Sequence, residues 1–338
     1  MRRGSIVQLI LVGALCGAGA TVVAIFVPWM PPVASDERHN IDLVLWFTTA
    51  ICIAIFALVA AISIYAVVKF RAGPDDDSDG PSIHGHTGLE IVWTAVPTVL
   101  VTAIAVMSGV VLVKNDRPNK GYMNVDVTAR QFAWSFSYPE QRNLASSVLR
   151  LPLGRSVKLH LHALDVIHSF WVPEFGQKMD ALPGQNTEIV VTPTKLGEYP
   201  VICTELCGLG HSLMRSRAIV MTQADFDAWV RDQQEMANGP SGKAGLGVWG
   251  QNGCASCHTL KAAQATGIVG PDLDKLPAYA EKAGKPLETF IRESIVNPNA
   301  YVEQGFPPNT MPSFDNLPED QISALVSFLA SAAKGSGG

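Results

Sequence analysis

The sequence predicts a multidomain membrane protein in which a transmembrane helical hairpin precedes an all-β sandwich and an all-α domain. Three patterns predict it: two long uncharged apolar runs, a stretch with period-two alternation, and a C-terminal stretch of short helical segments. The 338 residues allow two or three domains, and 48% hydrophobic residues fit a chain that lies partly in lipid. The net charge of −5 is too mild to indicate a nucleic-acid partner.

Residues 1–35 have the pattern of a secretory signal peptide. Met1-Arg2-Arg3 precedes an apolar stretch through Val27, and Val33-Ala34-Ser35 supplies small residues where a signal peptidase cuts. We therefore predict cleavage near Ser35, which leaves Asp36 at the N-terminus. Because the apolar stretch exceeds an ordinary signal peptide in length, a third, uncleaved membrane helix remains the alternative.

Residues 36–114 are predicted to form a two-helix transmembrane hairpin. The runs from Leu43 to Val68 and from Ile91 to Val113 carry no charge, and each is long enough to cross the lipid bilayer as a helix. Lys69 and Arg71 directly follow the first run. The positive-inside rule therefore places the connecting loop in the cytoplasm and the later domains outside.

Residues 120–222 alternate with period two, as in Val157-Lys-Leu-His-Leu-His, with turn clusters such as Pro183-Gly184 between the runs. This pattern predicts an antiparallel β-sandwich. Residues 223–241 are predicted to form an amphipathic helix, with Thr222 as its N-cap, and a short linker. Residues 242–335 are predicted to fold as short helices around a bound group.

One loop of the predicted sandwich, Cys203-Thr-Glu-Leu-Cys207-Gly-Leu-Gly-His211-Ser-Leu-Met214, carries two thiols, an imidazole and a thioether. His168, after a strand-like run, offers a second imidazole. Soft sulfur and imidazole ligands together select copper, and the second Cys predicts two copper ions bridged by both sulfurs. A disulfide or a Cys2His2 zinc site are the alternatives, but zinc leaves Met214 unused and a disulfide leaves both His unused.

The C-terminal domain contains a haem attachment motif, Cys254-Ala-Ser-Cys257-His258. In C-x-x-C-H both thiols bond to the haem and the His takes an axial position on the iron. Met311 is the sole Met after Thr259, where no further His occurs, so we predict it as the sixth ligand. A thioredoxin-like redox motif is the alternative, but it needs a βαβ pattern that this stretch lacks.

These motifs resemble subunit II of the haem-copper cytochrome c oxidases. The resemblance runs from about residue 40 to residue 222, through Asp165-Val-Ile-His168-Ser-Phe, the stretch 172–180, Pro183-Gly184 and the Cys203 to Met214 loop. It implies a cupredoxin sandwich that holds a dinuclear CuA centre. The implied ligands are His168, Cys203, Cys207, His211, Met214 and the backbone carbonyl of Glu205.

The same resemblance implies roles for four further side chains. Leu89-Glu90-Ile-Val-Trp93-Thr94 is similar to the segment in which Glu90 would lie at the mouth of a proton pathway into subunit I, although a mere interface anchor is the alternative. Glu205 would also contribute to a magnesium site shared with subunit I. Phe132 and Trp134 would lie on the electron path, with Phe132 where the family usually has Trp.

Residues 242–335 resemble a class I cytochrome c domain, through Gly270-Pro271, the stretch 297–301 and Met311-Pro-Ser-Phe. A cytochrome c behind a CuA domain is the arrangement of caa-type oxidases. The implied function is to pass electrons from a soluble or membrane cytochrome c through covalent haem c and CuA to subunit I. Oxygen reduction would occur on that other chain, since no cluster of membrane-buried His is present here.

The resemblance also implies the surroundings of the chain. Subunits I and III of the oxidase would be its partners, in a bacterial inner membrane crossed more than once, with the copper and haem domains on the periplasmic side. Two alternatives compete: the CuA subunit of a membrane nitric oxide reductase, and a membrane-anchored copper or electron carrier.

Overall fold

A computed structural model describes residues 3–71, 82, 84–238 and 243–335. It divides into two compact units, one of Met1–Pro32 with His39–Asn115 and the other of Val33–Arg38 with Asp116–Gly338. Most of the loop between the predicted membrane helices and residues 239–242 of the predicted linker lie outside the described residues.

The first unit is helical: α1 is Arg3–Phe26, α2 is Asp36–Lys69 and α3 is Thr87–Asn115, although the first three residues of α2 belong to the second unit. All three helices are long and apolar enough to cross a membrane. The start of α2 is tied to the end of α3, because Asn40 accepts from Lys114 Nζ at 2.8 Å and donates to Asn115 Oδ1 at 2.8 Å. The predicted helical hairpin is thus present, and α1 adds a third apolar helix whose cleavage stays a prediction.

The second unit begins with a short segment, Val33–Arg38, that is hydrogen-bonded to the sandwich. The Ala34 amide donates to Glu174 O at 3.0 Å, and Ala34 O accepts from the Thr194 amide at 2.9 Å. Ser35 Oγ donates to Phe175 O at 3.0 Å. Ala34 and Ser35 are both fully buried, so these two residues belong to the folded sandwich.

The sandwich consists of two five-stranded sheets, ordered β3-β2-β1-β5-β8 and β4-β10-β9-β6-β7. The strands are β1 Met123–Arg130, β2 Ala133–Tyr138, β3 Leu144–Ser146, β4 Leu149–Pro152, β5 Val157–Ala163, β6 His168–Trp171, β7 Lys178–Ala181, β8 Thr187–Val191, β9 Gly197–Cys203 and β10 Arg215–Met221. β1 pairs with β5 in parallel, and so does β4 with β10. The predicted antiparallel arrangement therefore needs this correction.

Buried and more exposed side chains alternate along the strands, so one face of each sheet lies in the core. In β1 and β5 every second residue is buried, as strand periodicity requires. Trp134, Phe136 and Phe170 are enclosed between the sheets, with Trp134 and Phe170 in edge-to-face contact at 5.5 Å between ring centroids. This core fixes the strand ends that carry the site.

Helix α4, Gln223–Asn238, follows β10 and begins at the predicted N-cap. Thr222 Oγ1 accepts from the Asp225 amide at 3.1 Å, as an N-cap residue does. Phe226 and Trp229 of α4 pack on Tyr138, with ring centroids 5.9 and 5.2 Å away. The helix is therefore part of the sandwich core.

The C-terminal domain is built from helices α5 Lys243–Gln251, α6 Leu276–Lys282, α7 Leu287–Val296 and α8 Glu319–Gly335, with the two-residue strands β11 Thr259–Leu260 and β12 Ala265–Thr266. It has a core of its own, which includes Trp249, Phe290 and Phe328. The predicted fold class, with membrane helices, a cupredoxin-like sandwich and a helical domain, is confirmed.

Candidate functional site

The backbone brings the predicted copper-binding residues to one end of the second sheet. His168 begins β6 and Cys203 ends the neighbouring strand β9, where Phe170 pairs with Cys203. The loop after Cys203 closes at its base, because the Cys203 amide donates to Met214 O at 3.3 Å. A strand pair and a closed loop thus hold five side chains in one place.

The sulfur and nitrogen atoms of these residues lie within contact distance of one another. Cys203 Sγ is 3.9 Å from Cys207 Sγ and 3.9 Å from His168 Nδ1. Cys207 Sγ is 3.6 Å from His211 Nδ1 and 3.8 Å from Met214 Sδ. One possible ligand atom each from His168, Cys203 and Cys207 falls within a 4.8 Å cluster of buried residues.

The remaining predicted ligand also faces this cluster, since the Glu205 carbonyl oxygen is 3.3 Å from Cys203 Sγ. The Glu205 side chain is exposed. Both cysteines are free thiols at a distance far beyond a disulfide bond. Met214 is fully buried with its sulfur at the cluster, which a zinc site would not explain.

Asp165 orients the first imidazole. His168 Nε2 donates to Asp165 Oδ1 at 2.8 Å, which leaves Nδ1 toward Cys203. Asp165 also accepts from the Gln131 and Val166 amides, both at 2.7 Å. Burial opposes ionisation of Asp165, but these hydrogen bonds together lower its pKa.

The two thiols respond to each other's charge. Burial opposes ionisation of Cys203, but hydrogen bonds with His168 and with neighbouring backbone groups lower its pKa to about 6. Burial and the charge of Cys203 raise the pKa of Cys207 to about 12. Holding both as thiolates needs added positive charge between them, so this donor set fits a pair of copper ions.

A cavity in the helical domain contains all four predicted haem-binding side chains among its lining: Cys254, Cys257, His258 and Met311. His258 Nδ1 donates to Pro271 O at 2.8 Å, which leaves Nε2 free. Burial lowers the pKa of His258, so the ring is neutral and its Nε2 can bind a metal. The cavity and its donors fit a covalently attached haem, whose iron His258 and Met311 would hold.

Residues of the sandwich also line this cavity. Arg130, Gln131, Phe132 and Ala133, around the turn between β1 and β2, face the same space, as does Leu213 of the Cys203 to Met214 loop. Gln131 Nε2 donates to Cys207 O at 2.5 Å. The turn between β1 and β2 thus lies between the two groups of predicted ligands.

Direct contacts join the sandwich and the helical domain, which belong to one compact unit. Arg130 Nη1 donates to Asn252 Oδ1 at 2.6 Å, Ser135 Oγ donates to Gly250 O at 2.7 Å, and Arg217 Nη2 donates to Thr266 Oγ1 at 2.7 Å. A Cβ on Gly250 would lie 2.9 Å from Ala145 O, so only Gly permits this close approach.

The two aromatic residues predicted on the electron path occupy different positions. Trp134 is fully buried beside the predicted copper-binding residues, with its ring centroid 6.2 Å from that of His168. Phe132 is half-buried and packs against the Cys203 to Met214 loop, where a Cβ on Gly210 would lie 2.5 Å from its ring. Phe132 therefore contacts that loop and the haem cavity at once.

Glu90 makes a local contact at the start of α3. Its Oε1 accepts from the His86 amide at 3.0 Å, and His86 Nδ1 accepts from the Leu89 amide at 3.2 Å. This reciprocal pair caps the helix. The predicted role of Glu90 at a proton pathway stays a prediction.

Sequence reasoning assigned no role to Arg130, Gln131 or Asp165. A signal for Asp165 was present, because a carboxylate three residues before a ligand His commonly orients its ring. Arg130 and Gln131 gave no signal, since their importance arises from contact with a separate domain.

Comparison with known protein families matches three segments of the chain. The match is to the cytochrome c oxidase subunit II transmembrane domain over residues 21–111, to the periplasmic domain of that subunit over residues 143–223, and to cytochrome c over residues 242–333. Together these segments include both groups of predicted ligands.

Individual relatives carry the same description. The cytochrome c oxidase subunit 2 of Alkalihalophilus pseudofirmus is 32% identical over 316 residues, which is 89% of this chain and 88% of the relative. That of Synechocystis sp. is 32% identical over 278 residues, which is 67% of this chain and 82% of the relative. A crystal structure of the periplasmic domain of subunit II from Bradyrhizobium japonicum is 26% identical, with a TM-score of 0.34, and covers 35% of this chain and 98% of that one.

Proposed function

Because this chain belongs to the cytochrome c oxidase subunit II family, we propose that its two clusters of donor side chains are the CuA and haem c sites of an electron relay. The fused cytochrome c domain fits a caa-type oxidase, in which subunit II passes electrons from cytochrome c to the haem-copper subunit. When bound, haem c and CuA supply one-electron transfer. The relatives' names do not favour the nitric oxide reductase or free-carrier alternatives.

The CuA ligands in this proposal are His168, Cys203, Cys207, His211, Met214 and the Glu205 carbonyl. The observation that carries it is the convergence of two buried thiols, two imidazoles and a buried thioether within 3.9 Å contacts at one sheet end. Asp165 holds the ring of His168, and Cys203, Cys207 and Met214 are buried from solvent. Rigid donors of this kind suit a centre that changes oxidation state with little rearrangement.

In this proposal, haem c is covalently attached through Cys254 and Cys257. His258 and Met311 are the ligands of its iron. Phe132 lines the cavity and packs against the Cys203 to Met214 loop, and Trp134 lies beside His168. In this proposal both rings lie on the electron path.

Further roles complete the proposal at the level of the complex. The exposed Glu205 carboxylate suits a magnesium ion shared with subunit I, because Mg²⁺ prefers oxygen ligands. Glu90 would start a proton pathway into subunit I. Lys69 and Arg71 after α2 support a cytoplasmic loop, with the copper and haem domains on the periplasmic side of a bacterial inner membrane and subunit III as a further partner.

Metal and haem analysis of the purified complex tests the proposed sites. We expect two copper ions and one covalent haem c per chain beyond the metals of subunit I. Cys203→Ser should remove the mixed-valence CuA signal from the electron paramagnetic resonance spectrum and leave haem c attached. A persisting mixed-valence signal would contradict the bridging role of Cys203.

The haem ligands are tested by Met311→Ala. We expect covalent haem to remain, the far-red absorption band of Met-ligated ferric haem to disappear and the midpoint potential to fall, since a Met ligand raises it. The CuA signal serves as the internal control. An unchanged far-red band would show that another group is the sixth ligand.

A further inference from the structure

Few charged side chains line the haem cavity. Two charged side chains occur among the described residues that line it, Arg130 and Glu303. Glu303 already has partners, because Lys282 Nζ donates to it at 2.5 Å and Tyr301 Oη at 2.6 Å. Arg130 is therefore the one described basic side chain that faces the cavity without belonging to an ion pair there.

Arg130 comes from the sandwich, at the end of β1. Its Nη1 donates to Asn252, and its guanidinium lies over the Phe314 ring at 4.7 Å from the centroid. No described carboxylate forms an ion pair with it. A guanidinium offers five N–H donors, so most of its hydrogen-bonding capacity is unused by described side chains.

Partial burial makes such a charge costly unless an anion accompanies it. Burial lowers the pKa of Arg130 accordingly. A haem attached through Cys254 and Cys257 would bring two propionate carboxylates to a cavity whose basic lining residue is Arg130. Carboxylates are the groups that the planar guanidinium binds best, through two parallel hydrogen bonds.

We infer that Arg130 binds a haem c propionate across the domain boundary, so that the copper domain completes the haem site of the cytochrome domain. The inference rests on the proposed haem attachment at Cys254 and Cys257. Arg130 is then a positioning residue: it ties the haem to the surface that carries Gln131 and Phe132. Its positive charge also favours the reduced haem and raises the midpoint potential.

Spectroelectrochemistry of the full oxidase complex tests this role with Arg130→Met. We expect the haem c midpoint potential to fall by an amount that changes the electron equilibrium between haem c and CuA about tenfold, which is about 59 mV for one electron. Arg130→Lys keeps the charge but not the bidentate geometry, so its shift should be smaller. Arg155→Met is the matched control, because Arg155 donates to Gly121 O and does not line the cavity.

A redox-induced infrared difference spectrum with ¹³C-labelled propionates gives a readout that a merely structural role would not move. The propionate carboxylate band should shift in Arg130→Met and stay in place in Arg155→Met. If Arg130→Met fails to assemble, Arg130→Lys is the test variant, and we expect it to shift the propionate carboxylate band by a smaller amount.

The outcomes separate the inference from the proposed function. Absence of covalent haem in the unmodified chain would defeat the proposed function itself. Attached haem with unchanged potential and unchanged propionate band in the Arg130 variants would overturn the inference alone. An equal shift in Arg155→Met would also overturn it, because the effect would then be one of net charge.

Discussion

Asp165 decides which nitrogen of His168 faces the thiols. Its carboxylate accepts from Nε2 at 2.8 Å, and two backbone amides hold the carboxylate in turn. One of those amides belongs to Gln131, whose side chain donates to Cys207 O. The orientation of a proposed copper ligand is thus set by residues that are not themselves proposed ligands.

Asp165→Asn should therefore weaken copper binding although every ligand remains. Loss of the charged acceptor lets the His168 ring rotate, and such orienting residues typically contribute about 10- to 100-fold in metal affinity. Copper titration of the variant, followed by the CuA absorption bands, measures the loss. Asp126→Asn, in β1 but outside the ligand cluster, is the control; equal affinity in the Asp165 variant would contradict the orienting role.

The same carboxylate gives the copper-free protein a pH dependence of known sign. Because hydrogen bonding lowers the pKa of Asp165 in the folded state, its contribution to stability is present above its unfolded pKa of about 3.9. That contribution is lost as the pH falls through the lower pKa that Asp165 has in the folded state. Asp165→Asn should abolish this part of the acid-induced loss of stability, measured by thermal unfolding between pH 2 and 5 in chelator.

Residue types predicted the candidate ligands, but not the neighbouring residues that contact them or line the haem cavity. Two Cys, two His and a Met in the observed spacing indicate copper from ligand chemistry alone, and C-x-x-C-H with Met311 indicates haem. Arg130 was beyond reach, because an Arg at a strand end has many surface roles. Only the packing of one domain on another brings it to the haem cavity.

At the scale of elements, periodicity predicted the strands but not how they pair. Alternation in β1 and β5 identifies their buried faces, yet it is the same whether the partner runs parallel or antiparallel. The parallel pairs β1 with β5 and β4 with β10 follow from the chain connections between the two sheets. The contact of the Val33–Arg38 segment with the sandwich was also unpredictable, since this segment is too short to show a pattern.

That segment bears on the N-terminus of the mature chain. The small residues at 33–35 predict cleavage near Ser35, but Ala34 and Ser35 are fully buried against the sandwich. Cleavage after Ser35 would remove the two backbone hydrogen bonds of Ala34 and the bond from Ser35 Oγ to Phe175 O. We therefore expect the mature chain to keep both residues.

Intact-mass measurement of the purified subunit decides the matter. A mature N-terminus at or before Val33 is the expected result, whether α1 is removed or retained. Recovery of a chain that begins at Asp36 would show that the sandwich folds without these contacts.

Ser35→Ala, which removes only the hydroxyl, should lower the melting temperature by the few degrees that about 1 kcal/mol implies for a domain of this size.

At the scale of the whole molecule, the cytochrome domain covers the part of the sandwich that flanks the copper-binding loop. Phe132 faces the haem cavity, and Ser135 and Ala145 contact Gly250 of α5. We therefore expect this contact to hinder docking of an external donor at Phe132. The attached haem also has a high effective concentration at the copper domain, which makes a charged docking patch there unnecessary.

Phe132 and Leu164 fit this arrangement. The resemblance to the oxidase family implies Trp at the first of these positions in members fed directly by soluble cytochrome c, and often an acidic residue at the second. Here the chain has an apolar ring and an exposed Leu. Both changes weaken attraction of a basic partner, because opposite charges mainly set the rate and orientation of encounter. We expect external donors to reduce haem c first and CuA to receive electrons from that haem.

A chain truncated after Asn238 tests this order, because it keeps α4 in the sandwich core and removes the cytochrome domain. In the assembled complex we expect the CuA signal to remain while most oxidation of soluble cytochrome c is lost. Introducing Phe132→Trp and Leu164→Asp together into the truncated chain should restore part of that activity, by rebuilding the missing docking features. Oxidation by the truncated complex at the rate of the intact one would establish direct electron input at CuA and refute the relay order proposed here.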